Sequence, residues 1–254
     1  MTEQLCHALR RLIHRLAPSC TTGRPDIVDE HYVPSCGLTL DEYITAGDTC
    51  GSHHVSKYTW ATLVLREAAP TRVLDVACGS GYGSYMIARA LPDTRVMGVD
   101  YDMGAVREAA TAYASPNLEF RVGDATRWED TIGEGLFDCI VSFDTIEHVN
   151  HRDIMMRHLV EHLAADGMLL FSTPCGALDD DLAPGWPAHK IEYSTASLFD
   201  MLSRYFGTIL RPDDDSLPHR EVFDAINDSG IEYLLKLNPV ICRDPIVIAN
   251  PYVF

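Results

Sequence analysis

Hydrophobic positions along the chain fall into two alternating rhythms. Arg72 to Val76, Arg95 to Asp100, Leu118 to Val122, Phe137 to Phe143 and Gly167 to Ser172 are short apolar runs. Each is bounded by turn residues, the pattern of a buried strand. Between them lie stretches with helical spacing: Ser84 to Ala90, Met103 to about Ala114, and Asp153 to Leu163. Strand and helix alternating through short connections predict an α/β fold, a doubly wound, mostly parallel sheet. Ahead of this core, Leu5 to Leu16 and Val55 to Glu67 carry helical spacing, with a polar connector from Pro18 to Pro34. The first of these helices is expected to pack on the domain or on a dimer partner, with a membrane-surface helix as the alternative. After Pro174 the order loosens: a loop from Asp179 to Pro187, a helix capped by Ser194 and running to about Arg204, a helix over Val222 to Leu237, and a last strand at Ile246 to Ala249. The division expected is an N-terminal helical lid over residues 1–70 and a ligand-binding domain over 71–254, with a substrate-side insertion at 175–195.

Bulk properties narrow the function. The chain has 254 residues, 46% hydrophobic and 22% charged, which suits one domain with a sizeable core. A net charge of −17 repels phosphate backbones, so no nucleic-acid partner is expected. Eight cysteines are scattered without a CxxC pair, and several sit in apolar runs such as Asp138-Cys139-Ile140-Val141. That usage predicts free thiols in a reducing compartment, the cytoplasm. No apolar run reaches the roughly 20 residues that span a bilayer, and no membrane partner is expected.

Sheets of this kind bind ligands at the carboxyl ends of their strands, where strand order reverses. The first strand ends in Asp75-Val76-Ala77-Cys78-Gly79-Ser80-Gly81-Tyr82-Gly83, a glycine-rich turn opening a helix. Such a turn alone is weak evidence, since dinucleotide-binding enzymes carry one too. Asp75 separates the readings: a carboxylate beneath the turn sits badly beside a pyrophosphate and suits a ligand carrying an ammonium and a sulfonium. Asp100 ends the second strand, where an acid accepts from ribose hydroxyls. Asp124, after the third strand, is placed to accept from an adenine amino group. Each acid alone is as readily a solvated strand end; three on successive strands point to S-adenosylmethionine (SAM).

These segments resemble class I SAM-dependent methyltransferases. Val73 to Gly83 looks like the first motif of that family, Gly98-Val99-Asp100-Tyr101-Asp102 like its ribose-binding segment, and Phe137 to Val149 like the fourth-strand signature of a branch that includes ubiquinone-biosynthesis-type, antibiotic- and sugar-modifying enzymes. His189 to Ser194 is similar to that branch's substrate-side segment. His53 to Tyr58 is similar to a segment that precedes the core, with Lys57 where Arg is more usual. The resemblance runs over roughly Ser52 to Arg211. It implies a Rossmann-like seven-stranded sheet, SAM as cofactor, and a cofactor site of Tyr58, Asp75, Ala77, Gly79, Gly81, Asp100, Tyr101, Asp124, Ala125, Ser142 and Phe143.

The activated methyl group needs an aligned acceptor and, for a hydroxyl, a base. His148, just past the fourth strand, is the first candidate, and His189 the second. Asp144 and Glu147 orient the base or hold an amine. Each histidine is as readily a loop-fixing residue. No metal site is expected: His148 and His151 are too closely spaced to share a helical face, and the Asp179–Asp181 and Asp213–Asp215 runs read as solvated loops. The expectation is methyl transfer to an O or N atom of a small-molecule acceptor, with a homodimer allowed. RNA or protein methylation and a non-catalytic SAM-binding module are the alternatives.

Overall fold

In a computed structural model, the residues described are 31–246, apart from 36, 129–131, 133–134, 178, 185–187 and 228–237. The helix read at Leu5 to Leu16 lies outside them, as do most of the connector, the end of the helix read at Val222 to Leu237, and all but Ile246 of the last predicted strand.

Two helices lead in, α1 (Leu40–Ala46) and α2 (Thr49–Ala68). Glu42 accepts from the Thr39 amide at 3.1 Å at the start of α1, and Asp48 accepts from the Gly51 amide at 2.7 Å to cap α2. The core then runs β1 (Arg72–Val76), α3 (Tyr82–Ala90), β2 (Arg95–Asp100), α4 (Met103–Ala112), β3 (Leu118–Val122), β4 (Phe137–Phe143), α5 (Arg152–Glu161) and β5 (Leu163–Ser172). The remainder is β6 (Cys175–Ala177), β7 (Tyr193–Ser194), α6 (Thr195–Leu202), β8 (Phe206–Leu210), α7 (Glu221–Asn227) and β9 (Val240–Pro245). Seven strands form one sheet in the order β3-β2-β1-β4-β5-β9-β8, while β6 and β7 pair separately. β1 to β5 are parallel, and β9 runs antiparallel between β5 and β8. The order reverses between β1 and β4, which places the ligand crevice at their carboxyl ends.

Alternation of side chains divides the core into two layers. Val73, Cys139, Leu170 and Ile241 face the layer of Trp60, Leu65, Ile87 and Phe223, from α2, α3 and α7. Leu74, Ile140, Leu169 and Cys242 face the layer of Met155, Leu159, Leu198 and Leu202, from α5 and α6. The predicted Rossmann-like seven-stranded sheet is therefore the fold. Among the described residues, no helix is long and apolar enough to cross a membrane.

Several boundaries differ from those read off the sequence. α2 starts six residues early, because Asp48 supplies a cap that hydrophobic spacing does not reveal. α5 stops at Glu161 and β5 starts at Leu163, pairing with Phe137 before a register shift brings Met168 opposite Cys139. The sequence expectation gave neither β8 nor β9. β8 is an edge strand containing Gly207, and β9 ends in Arg243-Asp244-Pro245, so neither alternates cleanly.

At the amino ends of the strands, Asp138 binds β4 to β1: one oxygen accepts from the Thr71 amide (2.7 Å), the Thr71 hydroxyl (2.6 Å) and the Arg72 amide (2.9 Å). Partial burial pushes this carboxyl up, but the bonds from Thr71 and Arg72 outweigh it and hold its pKa below the usual value. A depressed pKa contributes stability that is present above the unfolded value and lost as pH falls through the folded one. Replacing Asp138→Ala is expected to cost about 1–3 kcal/mol in urea unfolding at pH 7. The gap between variant and parent should narrow as pH falls from 7 toward the carboxylate range.

Candidate active site

The turn after β1 is shaped by backbone that only certain residues accept. Gly81 has φ +82°, and a Cβ there would lie 2.5 Å from the Ala109 Cβ. At Gly83 a Cβ would lie 2.1 Å from the Tyr58 ring, so this glycine exists for close packing of α3 on α2. The turn is tied to the neighbouring strand: the Cys78 amide donates to Val99 O at 2.9 Å and the Gly79 amide to Asp100 Oδ2 at 2.8 Å. Asp100 Oδ1 accepts from the Asp102 amide at 2.9 Å, and the Asp100 carbonyl accepts from the Gly123 amide at 2.9 Å. One carboxylate thus holds together the loops after β1 and β2, and its backbone carbonyl holds the loop after β3.

These loops open into a cavity of about 590 Å³. Of the predicted residues, Tyr58, Ala77, Gly79, Asp100, Tyr101, Asp124, Ala125, Phe143, Asp144 and His148 line it. Gly81 and Ser142 lie outside the wall; Ser142 is fully buried within β4. His189 is also outside it, but its ring packs edge-on against His148 at 4.8 Å.

Asp75 calls for a correction. The sequence placed its carboxylate against the ligand, yet it is 0% exposed and no part of the cavity wall. It faces the α2–α3 layer instead, accepting from Ser84 Oγ at 2.6 Å and Tyr58 Oη at 3.1 Å. Burial raises its pKa to about 7, against the opposing pull of those two hydroxyls. Its visible task is to fix Tyr58, whose ring does face the cavity.

Besides Asp100, a carboxylate that reaches the cavity is Asp144, just after β4, with φ +49°. It is ion-paired to Lys57, which α2 delivers to the same wall and which is 1% exposed. Ser172 Oγ donates to the other Asp144 oxygen at 3.1 Å. Burial pushes the Asp144 carboxyl up, but the Lys57 ammonium and His53 override it and hold it well below the usual range. Burial, with Lys57 and His53 nearby, keeps His54 neutral. The cavity wall therefore holds one buried cation and one anion side by side.

Past β4, a second polar cluster reaches the wall through His148 and Lys190 and continues behind it. Glu147 is 0% exposed and accepts from Thr173 Oγ1 at 2.8 Å through Oε2. Its Oε1 lies 3.8 Å from His148 Nε2. Burial, reinforced by Asp144, raises the Glu147 pKa, with His148 and His189 opposing. His189 Nδ1 bonds Glu192 Oε1 at 2.9 Å, and Lys190, whose amide donates to Glu147 O, lines the cavity. Read separately in sequence, His148 and His189 are one cluster in space.

Sequence reasoning missed His31, Tyr32, His54 and Lys57 as wall residues. His31 sits over Gly79, with Nε2 3.5 Å from Asp100 Oδ1. The Tyr32 carbonyl accepts from Ser80 Oγ at 2.6 Å while its ring stacks on His54 at 4.5 Å. Residues 31 and 32 come from the polar connector, where no periodicity marks them. Lys57 was visible only as a departure from the more usual Arg.

Comparison with known proteins bears on the central part of the chain. A methyltransferase-domain model matches residues 73–167, which hold the glycine turn, Asp100, Asp124, Asp144 and His148. Residues 73–167 match a methyltransferase domain. The chain is 32% identical over 107 residues to a malonyl-[acyl-carrier protein] O-methyltransferase of Bacillus cereus, covering 42% of this chain and 39% of that protein. It spans 35–46% of the length of the proteins of that name that it matches. Among solved structures, an O-methyltransferase from a trans-AT polyketide synthase of Brevibacillus brevis, in complex with S-adenosyl-L-homocysteine, aligns with a TM-score of 0.53 at 14% identity, over 84% of this chain and 80% of that one. The [4+2]-cyclase SpnF aligns with a TM-score of 0.56 at 17% identity, over 97% and 98%. At such identities these likenesses bear on fold alone. The methyltransferase domain and its branch are distinct questions, and the branch is left to the site's chemistry.

The Asp75 geometry has a consequence for stability. A carboxyl raised by burial binds its proton more tightly when folded, so its contribution falls as pH rises from the usual Asp value to about 7. In Asp75→Asn this part of the decline disappears. Thermal unfolding followed between pH 5 and 8 is expected to show a flatter profile than in the parent chain.

Proposed function

We propose that the chain is a SAM-dependent enzyme that methylates an O or N atom of a small-molecule acceptor. The observation that carries this is the Lys57–Asp144 pair in the wall beside the glycine turn. An amino-acid tail carries one carboxylate and one ammonium, and a buried pair of opposite charges offers a partner to each. A pyrophosphate would meet Asp144 and Asp100 as like charges. Asp100 accepts from ribose hydroxyls, since each carboxylate oxygen keeps acceptor capacity beyond the backbone amide it already holds. Tyr101 and the Asp124–Ala125 turn flank the adenine end.

SAM supplies a methyl group already activated on a sulfonium. The chain's own part is to align and to exclude water. Tyr58 and Phe143 pack edge to face at 5.2 Å and give that wall an apolar face. The acceptor atom is held where Glu147, His148 and His189 converge, and that cluster promotes loss of its proton. The enzyme acts in the cytoplasm on this reading, which the buried free thiols of Cys78, Cys139, Cys175 and Cys242 support. Natural-product or sugar intermediates are the favoured acceptors. The net charge of −17 supports an acceptor without a phosphate backbone.

Calorimetric titration with S-adenosylhomocysteine, SAM and NAD tests the cofactor. Both adenosyl compounds should bind at one site and NAD should not; binding of NAD alone would overturn the reading. Lys57→Ala is expected to weaken S-adenosylhomocysteine about tenfold or more, as removal of one partner from a buried charge pair does. Lys57→Arg should stay within a few-fold of the parent.

A further inference from the structure

For Glu147, burial and hydrogen bonding do not agree. The side chain is fully buried, and while Oε2 is held by Thr173, Oε1 has no hydrogen-bond partner. A buried acceptor left unsatisfied is costly, so native folds seldom keep one without a ligand to meet it. Glu147, His148 and His189 each bring one donor atom to within 4.8 Å of the others. Glu192, bonded at 2.9 Å to His189 Nδ1, completes the outer arrangement by which carboxylates orient metal-binding imidazoles through their other nitrogen.

We propose that Glu147, His148 and His189 form a site for one divalent transition-metal cation at the acceptor end of the cavity. Two imidazoles and one carboxylate suit Zn(II), Fe(II), Co(II), Ni(II) or Mn(II) and leave coordination positions open. Magnesium and calcium prefer sets made of oxygen alone. Donors in a tetrahedral site with bonds of about 2.0–2.1 Å stand roughly 3.3 Å apart, so small side-chain rotations close the cluster. A second group, His53, His54 and Asp144, has similar spacing. There the Lys57 ammonium already sits on Asp144, and a further cation would meet a like charge. The cation belongs at Glu147.

This rests on the methyl-transfer reading for its purpose. A cation beside the cavity takes an oxygen of the acceptor in an open position, fixes it, and makes a hydroxyl easier to deprotonate. The acceptor class narrows to compounds presenting a hydroxyl or carboxylate oxygen. The released proton passes to water.

The test uses the purified full chain, stripped with a chelator and titrated with Co(II) while visible absorption is recorded. One equivalent should bind and be displaced by one equivalent of Zn(II). Glu147→Gln and His189→Ala should each weaken Co(II) about 100-fold, and Glu192→Gln about tenfold, as loss of an outer carboxylate does. S-adenosylhomocysteine affinity is measured on the same samples. Retention of that affinity in the variants shows an intact fold; if the first two lose it, Glu192→Gln decides. Absence of one-equivalent binding by the native chain, or binding unchanged in the variants, overturns the metal site while leaving the cofactor reading in place. Failure of S-adenosylhomocysteine to bind a chain that takes up Co(II) overturns the cofactor reading alone.

Discussion

A backbone hydrogen bond from the Gly79 amide to the Asp100 carboxylate, 2.8 Å long, joins the ends of β1 and β2. Nearly everything about the site follows from it. The same carboxylate receives the Asp102 amide, and the Asp100 carbonyl receives that of Gly123, so three loops share one residue. With the loops fixed, the crevice at the reversal of strand order becomes a cavity walled by the glycine turn and by side chains such as Tyr58, Phe143 and Asp144. Ligand contacts there need little reorganisation on binding.

A second layer of constraint comes from the leading helices. α2 contributes Tyr58 and Lys57 to the wall, and each meets an acid from the sheet: Asp75 behind the wall and Asp144 within it. The two acids differ in fate because their neighbours differ. Asp75 meets only hydroxyls and is raised toward neutrality by burial, whereas Asp144 meets an ammonium and stays ionised. One acid therefore organises the site, and the other supplies its charge.

The central sheet was legible because β1, β2, β4 and the second half of β5 are largely buried and read as apolar runs, while the edge strand β3 shows itself by the alternation Leu118, Phe120, Val122 against the exposed Glu119 and Arg121. β8 and β9 were not legible: one lies at an edge and contains Gly207, and the other has only three apolar residues before it continues through Arg243-Asp244-Pro245. At the site, the expectation that Asp100, Asp124 and Gly79 stand beside the crevice came from their positions at strand ends, which topology alone dictates, and all three line the cavity. The sequence could not tell which way Asp75 points, since one residue of strand register decides between cavity and layer. Nor could it bring His189 to His148, forty-one positions apart in sequence, or Tyr32 over Ser80. Those contacts depend on chain paths through loops, where neither period nor spacing carries information.

The central claim is that the cavity wall at Lys57 and Asp144 receives an amino-acid tail whose adenosyl end is held at Asp100. The most direct measurement is a crystal structure of the chain with S-adenosylhomocysteine. It should show the tail's carboxylate at Lys57, its ammonium at Asp144 and the ribose hydroxyls at Asp100. A tail directed away from that pair, or an adenosyl group absent from the glycine turn, would contradict the account.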